Sequence, residues 1–232
     1  MTATPARAKI RFYAELNDHL APAQRQRDLE REFLVSPSVK DTIESFGVPH
    51  SEVELVLVNG ESSDFARQVR DGDRLAVYPM FESLDITSEL RVRERALREP
   101  RFVLDVHLGR LAAYLRMLGF DAVYRNDAAD PELVRTSSDE KRILLTRDRG
   151  LLMHAAITHG YWLRETDSRR QTAEILRRFD LARSVRPFTR CMACNYPLAS
   201  GASRTCTGCG RLYWQGSHYV RMTRWISELL GR

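Results

Sequence analysis

Hydrophobic and polar positions change their period along the chain. Up to about residue 80 they alternate in short stretches, Lys9-Ile10-Arg11-Phe12-Tyr13, Arg31-Glu32-Phe33-Leu34-Val35, Val53-Glu54-Leu55-Val56-Leu57-Val58 and Arg74-Leu75-Ala76-Val77-Tyr78. A period of two marks a strand with one face on a core. The first two strands form a hairpin. Pro37-Ser38 then opens a short helix through Val39, Ile43 and Phe46 that Gly47 stops, Asn59-Gly60 is a turn, and Asp71-Gly72-Asp73 introduces the last strand. Strand, strand, helix, strand, strand is the order of an α+β β-grasp domain.

From residue 101 the pattern becomes short apolar runs, each followed by a helical repeat. Phe102-Val103-Leu104 ends in Asp105, and Leu108, Leu111, Ala112, Leu115 and Leu118 recur at helical spacing up to the stop at Gly119. Ala122-Val123-Tyr124 is a strand. The loop from Arg125 enters a helix, with Asp130 predicted as its N-cap and Pro131 at its first position. Ile143–Thr146 is a further strand, followed by Arg147-Asp148, a helix over 148–156, a strand around 161–163 and a helix over 169–179. Such runs predict a parallel α/β sheet, and these sheets place ligands at the carboxyl ends of their strands. Asp105 and Asp148 both follow such ends.

Glu99-Pro100 marks the boundary, because proline disfavours a helix before it. The predicted parts are a β-grasp domain over 1–87, a charged helix-like linker over 88–100, an α/β domain over 101–185, and a ribbon with a basic tail over 186–232. With 232 residues, 43% of them hydrophobic, the chain can bury ordinary cores. No apolar run approaches the roughly 18 residues that span a bilayer. Met1-Thr2-Ala3-Thr4-Pro5 lacks the apolar region of a signal peptide, so the expected location is the cytoplasm, away from membranes. The net charge of +5 is uneven: residues 1–100 carry 14 cations and 18 acids, 101–180 carry 14 and 12, and 181–232 carry 8 and 1. All eight C-terminal cations are arginine, which suits forked contacts with phosphate.

The cysteines fall together, as Cys191-Met192-Ala193-Cys194 and Cys206-Thr207-Gly208-Cys209, with eleven residues between the pairs. Two such knuckles predict a tetrahedral, structural Zn²⁺ site, closed to chemistry by its four thiolates. Around it, Arg211, His218 and Arg221, with Tyr213, Trp214, Tyr219 and Arg224, mix cations and rings suited to RNA phosphates and bases. Tyr213 and Trp214 are expected to pack the ribbon itself. In the α/β part, clustered carboxylates repel unless a cation neutralises them, and hard oxygen ligands select Mg²⁺ or Mn²⁺. Asp130 and Asp148 also suit plain helix capping, whereas Asp105 has little local need of charge. Asp121 and Asp127 read as loop acids. His107 is weak evidence of participation, and Arg110, Arg147 and Arg149 flank the acids where RNA phosphates would sit.

Two resemblances follow from these residues. Val58-Asn59-Gly60, Asp71-Gly72-Asp73 and the strand ending at Pro79 resemble the ubiquitin-like sulfur carriers of molybdopterin and thiamin synthesis, which act through a free Gly-Gly end. This chain runs on through Pro79-Met80-Phe81, so a binding or stabilising β-grasp is expected, one that docks a protein partner. Phe102 to Ala112, Leu115 to Asp121, Arg125-Asn126-Asp127 and Ile143 to Leu152 resemble the PIN-like ribonuclease domain named after the C-terminal part of the Mut-seven exonuclease, whose bacterial members carry a ubiquitin-like domain in front. Tyr213 to Tyr219 is similar to the same family. The resemblance implies a metal-dependent ribonuclease acting on RNA, tRNA among the candidates, with Asp105, Asp130 and Asp148 at the acidic site and Asp127 as the alternative to Asp130. The rival expectation is a non-catalytic RNA-binding adaptor.

Overall fold

The alternating stretches become β1 (Ala6–Phe12), β2 (Leu29–Phe33), β3 (Val53–Val58), β4 (Glu61–Ser62) and β5 (Arg74–Pro79), with α1 (Val39–Glu44) after β2. The computed structural model describes residues 4–79, 100–199, 201 and 203–231, so the linker helix expected over 88–98 lies outside the described residues. The sheet order is β2-β1-β5-β3-β4, with β1 antiparallel to β2 and parallel to β5 at its centre. This is the β-grasp arrangement that the periodicity predicts. The inward side chains Ile10, Phe12, Val56, Val58 and Val77 close over Val39 and Ile43 of α1, all nearly or fully buried. Each such side chain contributes about 1.5–3 kcal/mol relative to exposure.

Local chemistry sets the corners. Ser38 caps α1, its Oγ accepting from Asp41 N at 3.0 Å while its own N donates to Asp41 Oδ2 at 3.4 Å. Asn59 and Gly60 take φ values of 55° and 88° between Val58 and Glu61, the left-handed pair that a two-residue hairpin needs. β2 stops at Phe33 rather than Val35, because its last partner is Ala6 and Pro5 before that has no N–H to extend the ladder. Leu34 and Val35 are left 74% and 83% exposed.

The second part holds β6 (Phe102–Leu104), α2 (Gly109–Met117), β7 (Ala122–Tyr124), α3 (Asp130–Asp139), β8 (Ile143–Thr146), α4 (Arg149–Leu152), β9 (Gly160–Trp162) and α5 (Ser168–Arg178). Its sheet runs β7-β6-β8-β9, with β6 parallel to both neighbours, as the apolar runs predict. Gly119 ends the turn after α2 at φ 98°, where an added Cβ would stand 2.3 Å from Arg186 O. Two boundaries differ from expectation. Glu132 N and Leu133 N both donate to Ala129 O, so Ala129 is the N-cap of α3, Asp130 its first residue and Pro131 its second. α4 is shorter than 148–156, because Met153 N and His154 N already bond three residues back.

Packing does not follow the boundary at residue 100. Among the described residues, one compact unit comprises the β-grasp part with 148–161, and the other comprises 100–147 with those from 162 onwards. Within the first, Ser51 Oγ donates to Leu152 O at 2.9 Å and Arg149 Nη1 to His19 O at 3.3 Å, while His19 Nε2 faces Glu52 Oε2 at 3.0 Å in full burial. A Cβ on Gly160 would meet Leu152 Cδ2 at 2.4 Å, so a larger residue there would have to displace that side chain. The second unit ends in a two-stranded ribbon, β10 (Ser203–Thr205) antiparallel to β11 (Leu212–Trp214), and in α6 (Ser217–Leu229). Among the described residues, no helix is long and apolar enough to cross a membrane.

Candidate acidic site and metal centre

Leu104 of β6 lies beside Leu145 of β8, and the next residues, Asp105 just past β6 and Thr146 at the end of β8, stand at the same edge. Asp105 is half-buried and doubly held. Its Oδ1 accepts from Val106 N at 2.6 Å, capping a tight turn, and its Oδ2 accepts from the Thr146 hydroxyl at 2.6 Å. Thr146 is fully buried, so this hydroxyl is a fixed donor that orients the carboxylate. Thr146→Val keeps the branched shape and removes the bond; an expected loss of about 1 kcal/mol is read from the urea midpoint. An unchanged midpoint would show the bond to be idle.

The other predicted acids are exposed. Asp148 caps α4, its Oδ1 accepting from Gly150 N at 2.7 Å. The Asp130 side chain has no hydrogen bond or ion pair among the described residues, and the capping role read for it goes to Ala129. Asp127, the alternative third acid, is held by Arg125 through two contacts of 3.2 Å, and those bonds and that charge lower its pKa. Arg125 also reaches Glu132. Among the described residues no group of carboxylates converges as a ready-made cation site. His107, Arg110, Arg147 and Arg149 are exposed, as are Arg211, His218 and Arg221.

The cysteines do converge. Cys191 Sγ lies 3.6 Å from Cys209 Sγ and Cys194 Sγ 3.5 Å from Cys206 Sγ, and all four sulfurs fall within 4.8 Å of one another. Sulfurs held about 2.3 Å from a tetrahedral Zn²⁺ sit about 3.8 Å apart, so the spacing fits such an ion. It is far too long for a disulfide of about 2.05 Å. Burial pushes the Cys191 thiol up, but hydrogen bonds from Tyr213 and the Cys194 N–H outweigh it and bring it down to about 6. Burial and sharing with the other cysteines push Cys194 up to about 12. All four sulfurs can be thiolates together only with a cation between them, and the cluster can bind a metal such as zinc. Each knuckle turns alike: Asn195 at φ 72° donates to Cys191 O at 2.9 Å, and Gly210 at φ 73° donates to Cys206 O at 2.8 Å. Asn and Gly tolerate that conformation best.

Two residues that tie this cluster to the sheet were not singled out by the sequence. Arg116 of α2, 5% exposed, donates to Ala122 O at 2.8 Å and to Ala193 O and Met192 O, at 2.7 and 3.2 Å, inside the first knuckle. Asp121, read as a loop acid, is a junction: it accepts from Arg142 Nη1 at 2.8 Å and Asn195 Nδ2 at 2.7 Å, with Arg190 Nη2 at 3.7 Å. Helical spacing marks Arg116 as lying between Ala112 and Phe120; nothing local shows its partner seventy-odd residues away. Burial pushes the Asp121 carboxyl up, but the Arg142 and Asn195 hydrogen bonds, with the charges of Arg142 and Arg190, hold it below its usual range. The stability tied to Asp121 is thus present above the ordinary carboxylate pKa and lost as pH falls through the lowered one. In urea titrations across acid pH, Asp121→Asn should lower the midpoint near neutrality and flatten its fall on acidification; an equally steep fall would remove Asp121 as a cause. The packing expected for Tyr213 holds, with its hydroxyl 3.0 Å from Cys191 Sγ, whereas Trp214 is 67% exposed. It stands at the end of the short β11, where the strand leaves it open to solvent.

A β-grasp unit ahead of a parallel α/β sheet with a four-cysteine ribbon defines a class, and comparison with known families names it. Residues 100–205 match the Mut7-C RNAse domain and residues 5–85 match the Mut7-C ubiquitin domain. The chain is a Mut7-C ribonuclease-family protein with an N-terminal ubiquitin-like domain, the family that the sequence resembles. No curated protein matches it. Among solved structures it is similar to the small archaeal modifier protein 1 of H. volcanii, at 19% identity over 32% of this chain and 97% of that one, with a TM-score of 0.26. It is also similar to a protein described as subunit 1 of the molybdopterin converting factor of Pyrococcus furiosus, at 20% identity over 32% and 97%, with a TM-score of 0.25.

Proposed function

We propose that the chain is a cytoplasmic, metal-dependent ribonuclease with a PIN-like α/β domain, in which Asp105 and Asp148 hold Mg²⁺ or Mn²⁺ and Asp130 is the third acid. The observation that carries this reading is the match of residues 100–205 to a ribonuclease domain, with Asp105 fixed at the carboxyl edge of its sheet. When bound, the ion would neutralise the phosphate and lower the pKa of a bound water. Asp105 presents a carboxylate whose orientation Thr146 sets. Asp130 is exposed and uncommitted among the described residues, whereas Asp127 is spent on Arg125, which favours Asp130 of the two. Arg110 and Arg147 offer exposed guanidinium groups to RNA phosphates. The four cysteines hold Zn²⁺ as a structural ion, the ribbon and α6 grip RNA through Arg211, His218 and Arg221, and the β-grasp unit docks a protein partner.

The test is cleavage of labelled total RNA and tRNA by the purified full chain with Mg²⁺, with Mn²⁺ or with neither. Metal-dependent products that vanish in Asp105→Asn/Asp148→Asn establish the site. The absence of converging carboxylates among the described residues favours one rival, an RNA-binding adaptor. RNA bound but never cut under any of these conditions would select it.

A further inference from the structure

The ribbon carries a cavity that the acidic site does not use. It measures about 50 Å³ and opens to solvent, and the residues that line it include Phe188, Tyr213, Trp214 and Tyr219 with Arg190 and Arg204. No carboxylate lines it among the described residues. The walls are held in place. Phe188 and Tyr219 stand 4.7 Å apart at 38°, and the Tyr213 hydroxyl is fixed on Cys191 Sγ at 3.0 Å. Arg204 is held by Phe188 O and by Gly201 O at 2.7 Å, and Arg190 by Asn195 O at 2.9 Å. Trp214 lies close to Gly216, where a Cβ would come within 2.8 Å of the indole Nε1, and the ring is 67% exposed.

We infer that this cavity receives an unpaired nucleobase of single-stranded RNA, stacked against Trp214, with the adjoining phosphates on the exposed arginines of the ribbon and α6. A cavity this small and open takes one edge of a planar ring, which leaves the ring's face against an aromatic neighbour, the contact that bases make with single-strand binders. Charge decides between a base and an apolar side chain of a peptide. Residues 181–232 carry eight arginines and one acid, and Arg211, Arg221 and Arg224 are exposed. A peptide's apolar side chain would use the rings and leave that charge unmatched; a nucleotide uses both. The inference deepens the ribonuclease reading, on which it rests for the ligand being RNA, by making unpaired RNA the substrate class.

The experiment uses the full, zinc-loaded chain in the Asp105→Asn/Asp148→Asn background, so that RNA stays whole, and reads the anisotropy of fluorescein-labelled oligouridine, of an abasic oligoribose of equal length and of a blunt RNA duplex. Oligouridine is expected to bind more tightly than the abasic strand, and Trp214→Leu to weaken oligouridine about tenfold, the effect of one stacked base, while leaving the abasic strand and the duplex unchanged. Trp214 is mostly exposed, so its loss should leave zinc content and near-ultraviolet circular dichroism intact; the abasic comparison on the chain with Trp214 present needs no folded variant. Equal binding of oligouridine and abasic strand, or a Trp214→Leu loss shared by both, would overturn the inference in favour of phosphate contact alone. Cleavage by the unmutated chain is scored separately. Base-dependent binding without cleavage sinks the catalytic reading and leaves the cavity's role standing, and cleavage without base-dependent binding does the reverse.

Discussion

Removing the metal from the four-cysteine cluster should unfold the ribbon and loosen α6. Structural zinc contributes on the order of 10–16 kcal/mol of apparent binding free energy in small zinc domains, comparable to or larger than the 5–15 kcal/mol that holds a typical domain together. The ribbon has little else. β10 and β11 are three residues each and contain no cysteine, and among the described residues of the ribbon the most buried side chains are two of the cluster's own, Cys191 and Cys206. Without a cation the thiols either protonate or repel, and the two left-handed knuckle turns at Asn195 and Gly210 lose the centre around which they close. The effect should reach α2, because Arg116 donates into the first knuckle and Trp225 of α6 packs 4.9 Å from Tyr114. One zinc per chain, released by chelator with a fall in melting temperature and new protease cuts between residues 186 and 216, is the expected result. Cys206→Ser should reproduce it. A chelated protein that melts and resists protease like the loaded one would mean that the cluster is not a structural metal site. Acid should act in the same direction as chelator, since protons compete with the ion for thiolates.

Asp105→Asn should lower metal-dependent cleavage of RNA by about a thousandfold, the loss of several kcal/mol of charge stabilisation at the phosphate. The amide keeps the shape of the carboxylate: its oxygen still accepts from Val106 N, and its NH2 donates to the Thr146 hydroxyl, which turns to accept, so the fold should stay within about 1 kcal/mol of its original stability. That separates chemistry from folding: cleavage collapses while the melting temperature and zinc content hold. Asp148→Asn should cost a similar factor, and Asp130→Asn less, because a first-turn position on α3 leaves its side chain without a fixed partner among the described residues. If Asp105→Asn cleaves at the unmutated rate, the activity lies elsewhere. If Asp127→Asn rather than Asp130→Asn reduces the rate, the third acid has been misassigned despite the Arg125 pair.

The sequence by itself determined what depends on neighbours in the chain. Alternation over Val53–Val58 specifies a strand because each side chain meets core or solvent in turn, and Asn59-Gly60 specifies the hairpin because these residues adopt positive φ cheaply. Ser38 and Asp41 make their capping box within one helical turn. The cysteine spacing brings two sulfurs to each knuckle whatever lies around it. Only tertiary structure decided what depends on distant partners. Asp121 looks like any turn acid until Arg142 and Asn195 arrive from 21 and 74 residues away, and Arg116 like any amphipathic-helix cation until the first knuckle meets it. Local pattern could not show that residues 148–161 pack with the β-grasp unit, since Ser51 and Leu152 are 101 residues apart. Nor could it tell Tyr213 from Trp214: they are adjacent on one strand, yet the first finds Cys191 Sγ with its hydroxyl while the second is left 67% exposed. Local periodicity reports whether a side chain is buried; the fold alone chooses the partner that buries it.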